Sequence, residues 1–246
     1  MSLKKHLEEL EAFRATNNEP GIANACFKIG DIYLQKGNWG EAKEYLREAK
    51  VICGKLGNEE GSAITAIGLG DVYRKTRNHQ TARIHYQQAL GFFEKDGDEK
   101  KIANLMERLG ELARDQGDFS GALEAFSRAK KICQKQNDEL GLAHFNEKIA
   151  LVYRSHGQLE IAIQSFEEAL TYYERHRVAD RLAFVLTGLG ELQYKIGQLQ
   201  EALDYLGRAM HIYKRLGAGK EAELIAAEIS AIEATLEDEG KGVNKG

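Results

Sequence analysis

The chain has 246 residues, 43% of them hydrophobic, and carries a formal charge of -4 with a pI near 6.0. That balance argues against a general nucleic-acid binder, which carries a basic excess, and no apolar run approaches the roughly 18 residues of a membrane span. The N-terminal MSLKKHLEEL lacks the apolar centre of a secretory signal, so a cytoplasmic protein without membrane association is expected.

Residues 2–16 set Leu3, Leu7, Leu10 and Phe13 at helical spacing. The spacing predicts an N-terminal capping helix, or the last helix of an array that starts further upstream. Asn17-Asn18-Glu19-Pro20-Gly21 then punctuates the chain. Pro20, the sole proline, stands where the first turn of a helix tolerates it.

From there the sequence repeats itself. Gly30 to Ala49 reads GDIYLQKGNWGEAKEYLREA, and related stretches begin at Gly70, Gly110, Ala150 and Gly190, a period of forty residues without drift. A fixed period of this size means stacked helical units, expected at 19–57, 59–97, 99–137, 139–177 and 179–217. In the first helix of each unit, Ile29, Leu69, Leu109, Ile149 and Leu189 form one aliphatic column, and Ile32, Val72, Leu112, Val152 and Leu192 another, with Gly or Ala between. In the second helix, Ala42, Ala82, Ala122, Ala162 and Ala202 recur, as do Ala49, Ala89, Ala129, Ala169 and Ala209 seven residues on. Two turns separate the columns, so both lie on one stripe where only a methyl group fits between close helices. Leu46, Tyr86, Phe126, Phe166 and Leu206 add bulk to that stripe.

The two helices are divided by turns in which Gly37, Gly117, Gly157 and Gly197 supply positive φ. Arg77 breaks that column; it either adopts the same turn at a cost of about 1 kcal/mol or turns differently. The junctions LGNEEG, DGDEKK and QNDELG hold helix stops and N-caps. In the fourth, HRVADR, Asp180 is the expected cap. A closing helix is expected at 219–237, with Ile229 and Ile232 in the aliphatic columns and a polar face at Glu233. Residues 239–246 read as a disordered tail. The whole is expected to be all-α, a single array over 1–238.

Gly-x-x-Tyr, then Gly-Asn-Trp-x-x-Ala, then an aromatic or Leu and another Ala resembles the tetratricopeptide repeat (TPR). That family's usual repeat is about 34 residues. The additional residues here lie between units, as in KVICGKLGNEEGSA, which is similar to the long repeats of Pins-type spindle adaptors and of the sensor domain of the maltose-regulon activator. The resemblance covers roughly residues 17–218, and the family's usual Pro at the end of the second helix is absent. It implies a right-handed superhelical solenoid whose first helices line a concave groove that holds partner peptides. Carried onto this chain, the family's concave positions are Asn24, Phe27, Asp31 and Leu34, then Ile64, Ile67, Asp71 and Arg74. Asn104, Glu107, Glu111 and Arg114 follow, then His144, Glu147, Leu151 and Arg154, and finally Phe184, Thr187, Glu191 and Tyr194.

Arg74, Arg114 and Arg154 form a ladder at the repeat period, and Asp31, Asp71, Glu111 and Glu191 an acidic one a turn earlier. Two roles fit. Asp71 with Arg74 and Glu111 with Arg114 make i,i+3 pairs on single helices. Alternatively, the guanidinium groups receive carboxylates or carbonyls of an extended peptide. The apolar residues Phe27, Leu34, Ile64, Ile67, Phe184 and Tyr194 either anchor a peptide or amphipathic helix or pack between first helices. Capture of a chaperone C-terminal carboxylate is not expected, since Asp31, Asp71 and Glu111 stand where that subclass has Asn and would repel it.

No catalytic or cofactor signal emerges. No H-E-x-x-H or Cys-x-x-Cys spacing offers a metal site, and Gly30, Gly37 and Gly40 follow a helix rather than the strand that precedes a phosphate loop. Cys26, Cys53 and Cys133 read as small core residues. The leading expectation is a non-enzymatic, cofactor-free scaffold for a protein or peptide partner. The other readings are a ligand- or peptide-sensing module of a larger regulator, and a structural array that self-associates through its terminal helices.

Overall fold

The computed structural model describes residues 3–243, with side chains for residues 3–237. Among these residues the elements are twelve helices. Terminal helices α1 (Leu3–Ala15) and α12 (Gly219–Val243) flank five hairpins. The hairpins are α2 (Glu19–Gln35) with α3 (Trp39–Lys55), α4 (Glu59–Lys75) with α5 (His79–Asp96), and α6 (Glu99–Asp115) with α7 (Phe119–Gln136). Then come α8 (Glu139–Ser155) with α9 (Leu159–His176) and α10 (Ala179–Lys195) with α11 (Leu199–Leu216). The fold is thus the all-α hairpin repeat of a solenoid, on the forty-residue register read from the sequence.

One expected boundary changes, at the end of α12. The chain also divides into two compact units, Met1–Ile132 and Cys133–Gly246. The division falls inside α7, so no linker or shift in composition marks it. Helix α12 continues through Val243, past the expected end at 237 and into the expected tail. Gly240 is carried within the helix, a substitution that costs about 1 kcal/mol relative to Ala and does not stop it. The rest of that tail, 244–246, lies outside the described residues.

Small residues bring the helices of each hairpin together. All ten alanines of the two columns are fully buried at 0% exposure. A Cβ added to Gly70 would stand 2.4 Å from Tyr86, and one on Gly110 2.5 Å from Phe126. On Gly30 it would meet Leu46 at 2.7 Å and the Ala42 carbonyl oxygen at 3.4 Å. The missing methyl group is therefore what lets a large side chain of the second helix lie across the first. Repeat four carries Ala150 here, and Ala150 and Phe166 still share one buried cluster.

The turns inside the hairpins share one hydrogen-bonding scheme. Gly37 N–H donates to the Leu34 carbonyl and Asn38 N–H to the Tyr33 carbonyl, with Gly37 at φ +78. Arg77 and Asn78 repeat those bonds to Arg74 and Tyr73, with Arg77 at φ +59. Of the two expected outcomes, repeat two keeps the turn and bears the strain. At the junctions, Asn18, Asn58, Asp98 and Asp138 accept from the backbone N–H three residues on. Asp180 does not cap: the N-cap of α10 is Val178, without a side-chain bond, and Arg177 holds the left-handed position at φ +55. The helix starts two residues earlier than a cap at Asp180 requires, so Asp180 serves as an acidic residue in the first turn.

The terminal helices follow their columns. Leu10 is buried, and Leu3, Leu7 and Phe13 pack beside it against Ala25, Cys26 and Ile29. At the other end Ile232 is buried and Ile229 packs beside it. Burial pushes the Cys26 thiol up to about 12 and, with Asp138 adding to the effect, Cys133 up to about 11. Neither is a nucleophilic thiolate at neutral pH.

Two substitutions test this packing. Ala122→Leu is expected to overfill the α6–α7 contact and lower stability by about 1–3 kcal/mol; an unchanged denaturation midpoint contradicts the tight approach. Arg77→Gly is expected to raise stability by about 1 kcal/mol, because the left-handed turn is then unstrained, as chemical denaturation would show.

Candidate functional site

The expected surface lies on the first helices. Within Met1–Ile132, α2 packs on α4 and α4 on α6. Asn24, Asp31 and Asn104 are exposed there, while Phe27, Leu34, Ile64, Ile67, Asp71, Arg74, Glu107 and Arg114 are half-buried. Phe27 and Leu34 pack against the buried Ala42, Leu46 and Leu69 cluster, so these two serve partly as core. Within Cys133–Gly246, Tyr194 is exposed at 46%. His144, Leu151, Arg154, Phe184, Thr187 and Glu191 are half-buried. Phe184 and Leu151 lean on the buried cluster of that unit.

Two expected surface residues are not on the surface. Glu111 is 9% exposed and Glu147 2%. Glu147 accepts from Tyr173 Oη at 3.2 Å and from Arg181 Nη1 at 3.0 Å, so it joins α8 to α9 and α10 and does not present itself to a partner. Burial raises its pKa above the ordinary 4.5, against the opposing pull of Arg181, His144, the Tyr173 hydroxyl and Lys148.

Most of the charged ladder is connected differently from the i,i+3 reading. Asp71 and Arg74 do not pair. Asp71 instead accepts from Arg108 on α6 and, at 2.7 Å, from Tyr86 Oη on α5. Arg74 Nη1 donates to Asp115 Oδ2 on α6 at 2.8 Å, and in the second unit Arg154 Nη1 donates to Glu191 Oε2 on α10 at 2.8 Å. Only Arg114 takes its expected partner, Glu111, at 2.5 Å. The physical reason is proximity: a partner on the next first helix sits about one repeat away, give or take a turn, and it competes successfully with an i,i+3 neighbour. Asp71–Arg108 and Arg154–Glu191 are both separated by 37 residues.

Each of the three arginines thus already holds one carboxylate of its own chain. Each is a fixed donor with part of its guanidinium already engaged. Burial works against the Arg74 charge, but the Asp115 hydrogen bond and the nearby carboxylates outweigh it and hold the pKa above its usual value. Arg108, Asp115, Arg181, Tyr86 and Tyr173 complete this network; the sequence pointed to Tyr86 only as bulk in the second-helix stripe and to the other four not at all. Opposite charges recurring at one period minus three is the signal that finds the first of them.

Second helices carry a parallel set of links. Arg14 bonds Glu48 at 2.7 Å, Arg128 bonds Glu94 at 2.5 Å and Arg208 bonds Glu174, with the signs exchanged between the first pair and the others. These pairs are about half exposed and contribute at most about 1 kcal/mol each. Among the described residues no group of His, Cys, Asp and Glu is arranged to hold a metal ion. No helix among them is long and apolar enough to cross a membrane.

A sequence model described as tetratricopeptide repeat matches residues 4–95, 101–175 and 142–215. No curated protein sequence matches the chain. Among solved structures, BtubC (BKLC) from P. vanneervenii superposes with a TM-score of 0.76 at 19% identity, over 87% of this chain and 91% of that one. A Rap protein complexed with competence and sporulation factor gives 0.61 at 16%, over 88% and 65%. A signal transduction ATPase with numerous domains (STAND) that has a tetratricopeptide repeat sensor, from Pyrococcus horikoshii, gives 0.73 at 16%, over 89% and 38%. At these identities the likeness is one of fold.

Glu147 supplies a pH test. Its raised pKa means that the folded state holds a proton more tightly than the unfolded chain, so its contribution is favourable below about pH 4.5 and is lost as pH rises through the raised value. Glu147→Gln is accordingly expected to gain stability over wild type as pH goes from about 4 to about 7. A urea midpoint difference that stays constant across that range contradicts the assignment.

Proposed function

The chain belongs to the tetratricopeptide repeat family, and from that premise we propose that it is a non-catalytic scaffold holding an extended segment or helix of a partner protein along its first helices. The observation that carries this reading is the make-up of that face. In the first unit Arg74, fixed by Asp115, shares a first helix with half-buried Ile64 and Ile67; in the second, Glu191, fixed to Arg154, shares one with half-buried Phe184. Pre-paired arginines keep unused N–H groups, and their carboxylates keep lone pairs. Such a face offers both donors and acceptors to a peptide backbone at little ordering cost, while the apolar residues provide shallow anchors. A cytoplasmic location accompanies this reading.

A second reading is a sensing module within a larger regulator. It is supported by the likeness to the repeat sensor of the STAND protein and to a Rap protein bound to its factor. A third, self-association through a terminal helix, draws on Leu224 of α12, which is 68% exposed.

Charge reversal of the arginine ladder is a poor test, because it would set like charges against Asp115, Glu111 and Glu191. The exposed residues are better targets. Asn24→Lys, Asp31→Lys and Tyr194→Ala together are expected to leave the melting temperature unchanged and to weaken capture of the partner from native lysate by about tenfold or more. A partner retained at wild-type level by the folded variant overturns the first-helix reading. A complex that forms only with a second copy of the chain favours self-association.

A further inference from the structure

Repeat two gathers cations at one place. Where α4 ends, α5 begins and α6 ends, a cleft of about 500 Å³ is lined by Arg74, Lys75, Arg77 and His79, and by Glu111, Arg114 and Asp115 of α6. All of these lie within the first unit. The two carboxylates are already engaged, Asp115 by Arg74 and Glu111 by Arg114. Four lasting positive charges against two negative ones leave an excess of two.

Two nitrogens on residues that line this cleft are also unmet. Arg74 Nε and His79 Nδ1 are buried and have no hydrogen-bond partner among the described residues. A desolvated donor without an acceptor is costly; Arg74 Nε–H is such a donor and His79 Nδ1 is another in its Nδ1–H tautomer, so together, on a cleft lined by cations, they point to an anion as the missing acceptor.

The feature belongs to this repeat and not to the architecture. One repeat earlier, the positions of Arg74, Lys75, Arg77 and His79 are Leu34, Gln35, Gly37 and Trp39. In the second unit they are Arg154, Ser155, Gly157 and Leu159 in one hairpin and Tyr194, Lys195, Gly197 and Leu199 in the next. Arg77 also keeps a left-handed backbone, φ +59, at a turn position where the other four hairpins have Gly.

We propose that this cleft binds a phosphate monoester group. Such a group carries close to two negative charges near neutral pH and presents three acceptor oxygens in a tetrahedral arrangement. It matches the charge excess, and it can accept from Arg74 Nε and from the His79 Nδ1–H tautomer while Arg77 and Lys75 supply further donors. A carboxylate, with one charge and two coplanar oxygens, leaves part of the excess unneutralised. The group arrives either on a phosphorylated side chain of a protein or on a small phosphorylated metabolite, which share this chemistry. The site rests on the cleft alone and holds whether or not a peptide lies along the first helices.

The test is a titration of the full chain with O-phosphoserine, with a phosphoserine-containing tripeptide and with serine, at ionic strength matched by sodium chloride. NMR follows the Arg74 Nε–H and the His79 ring nitrogens. Both signals are expected to shift saturably with the two phosphorylated probes and not with serine or chloride. Arg77→Gly is expected to weaken binding by about tenfold, the loss of one charge-assisted hydrogen bond, although it stabilises the fold. His79→Gln is expected to weaken binding as well. Tighter binding of the tripeptide than of the free amino acid assigns the site to a phosphorylated protein segment; equal binding assigns it to a small phosphorylated molecule. Unsaturable shifts, an equal response to chloride, or undiminished binding by Arg77→Gly overturns the proposal.

Discussion

The structure depends on the contact in each hairpin where a large side chain of the second helix lies across a small residue of the first. Tyr86 over Gly70 shows how far the consequences reach. Its ring needs the space that a Cβ at Gly70 would fill, so the two backbones are held at one distance. That distance puts the phenol hydroxyl 2.7 Å from Asp71, and Asp71 in turn takes Arg108 from α6. A packing contact within one repeat thereby places a charge that ties it to the next.

The turns extend the same constraint along the chain. Once the hairpin partners are fixed, the short connection has to leave the first helix through a left-handed residue, and the carbonyls of Tyr33 and Tyr73 receive equivalent N–H groups whether that residue is Gly37 or Arg77. Local preference does not decide the conformation at Arg77. The surrounding packing does, and it holds an arginine where its backbone is strained.

Positions whose constraint is a property of one residue were legible in the sequence. An alanine that must be small, a glycine that must turn and an aliphatic residue that must be buried each recur at the same register, and the five hairpins follow from them within a residue or two. Residues whose role depends on a partner were not legible. Asp71 looked like the neighbour of Arg74 because both sit on one helix, yet each bonds to α6 instead. Glu147 looked like a groove residue because it shares the column of Phe27 and Ile67 among the concave positions that the resemblance implies, but a tyrosine and an arginine from two other helices draw it inside. The division between Ile132 and Cys133 left no trace for a related reason: α7 runs through it unbroken and keeps its ordinary pattern.

Equivalent columns therefore differ in what they leave available. Arg154 has its carboxylate on α10 and adds to the link between two first helices. Arg74 has a carboxylate too, but its Nε stays buried without a partner, in a cleft with the similarly unmet His79 Nδ1. A ladder of identical residues would suggest a surface read evenly along its length. Here neighbouring side chains decide which rungs are fully engaged within the fold and which keep an unmet nitrogen, so equivalent positions are made different repeat by repeat through residues that the repeat pattern does not constrain.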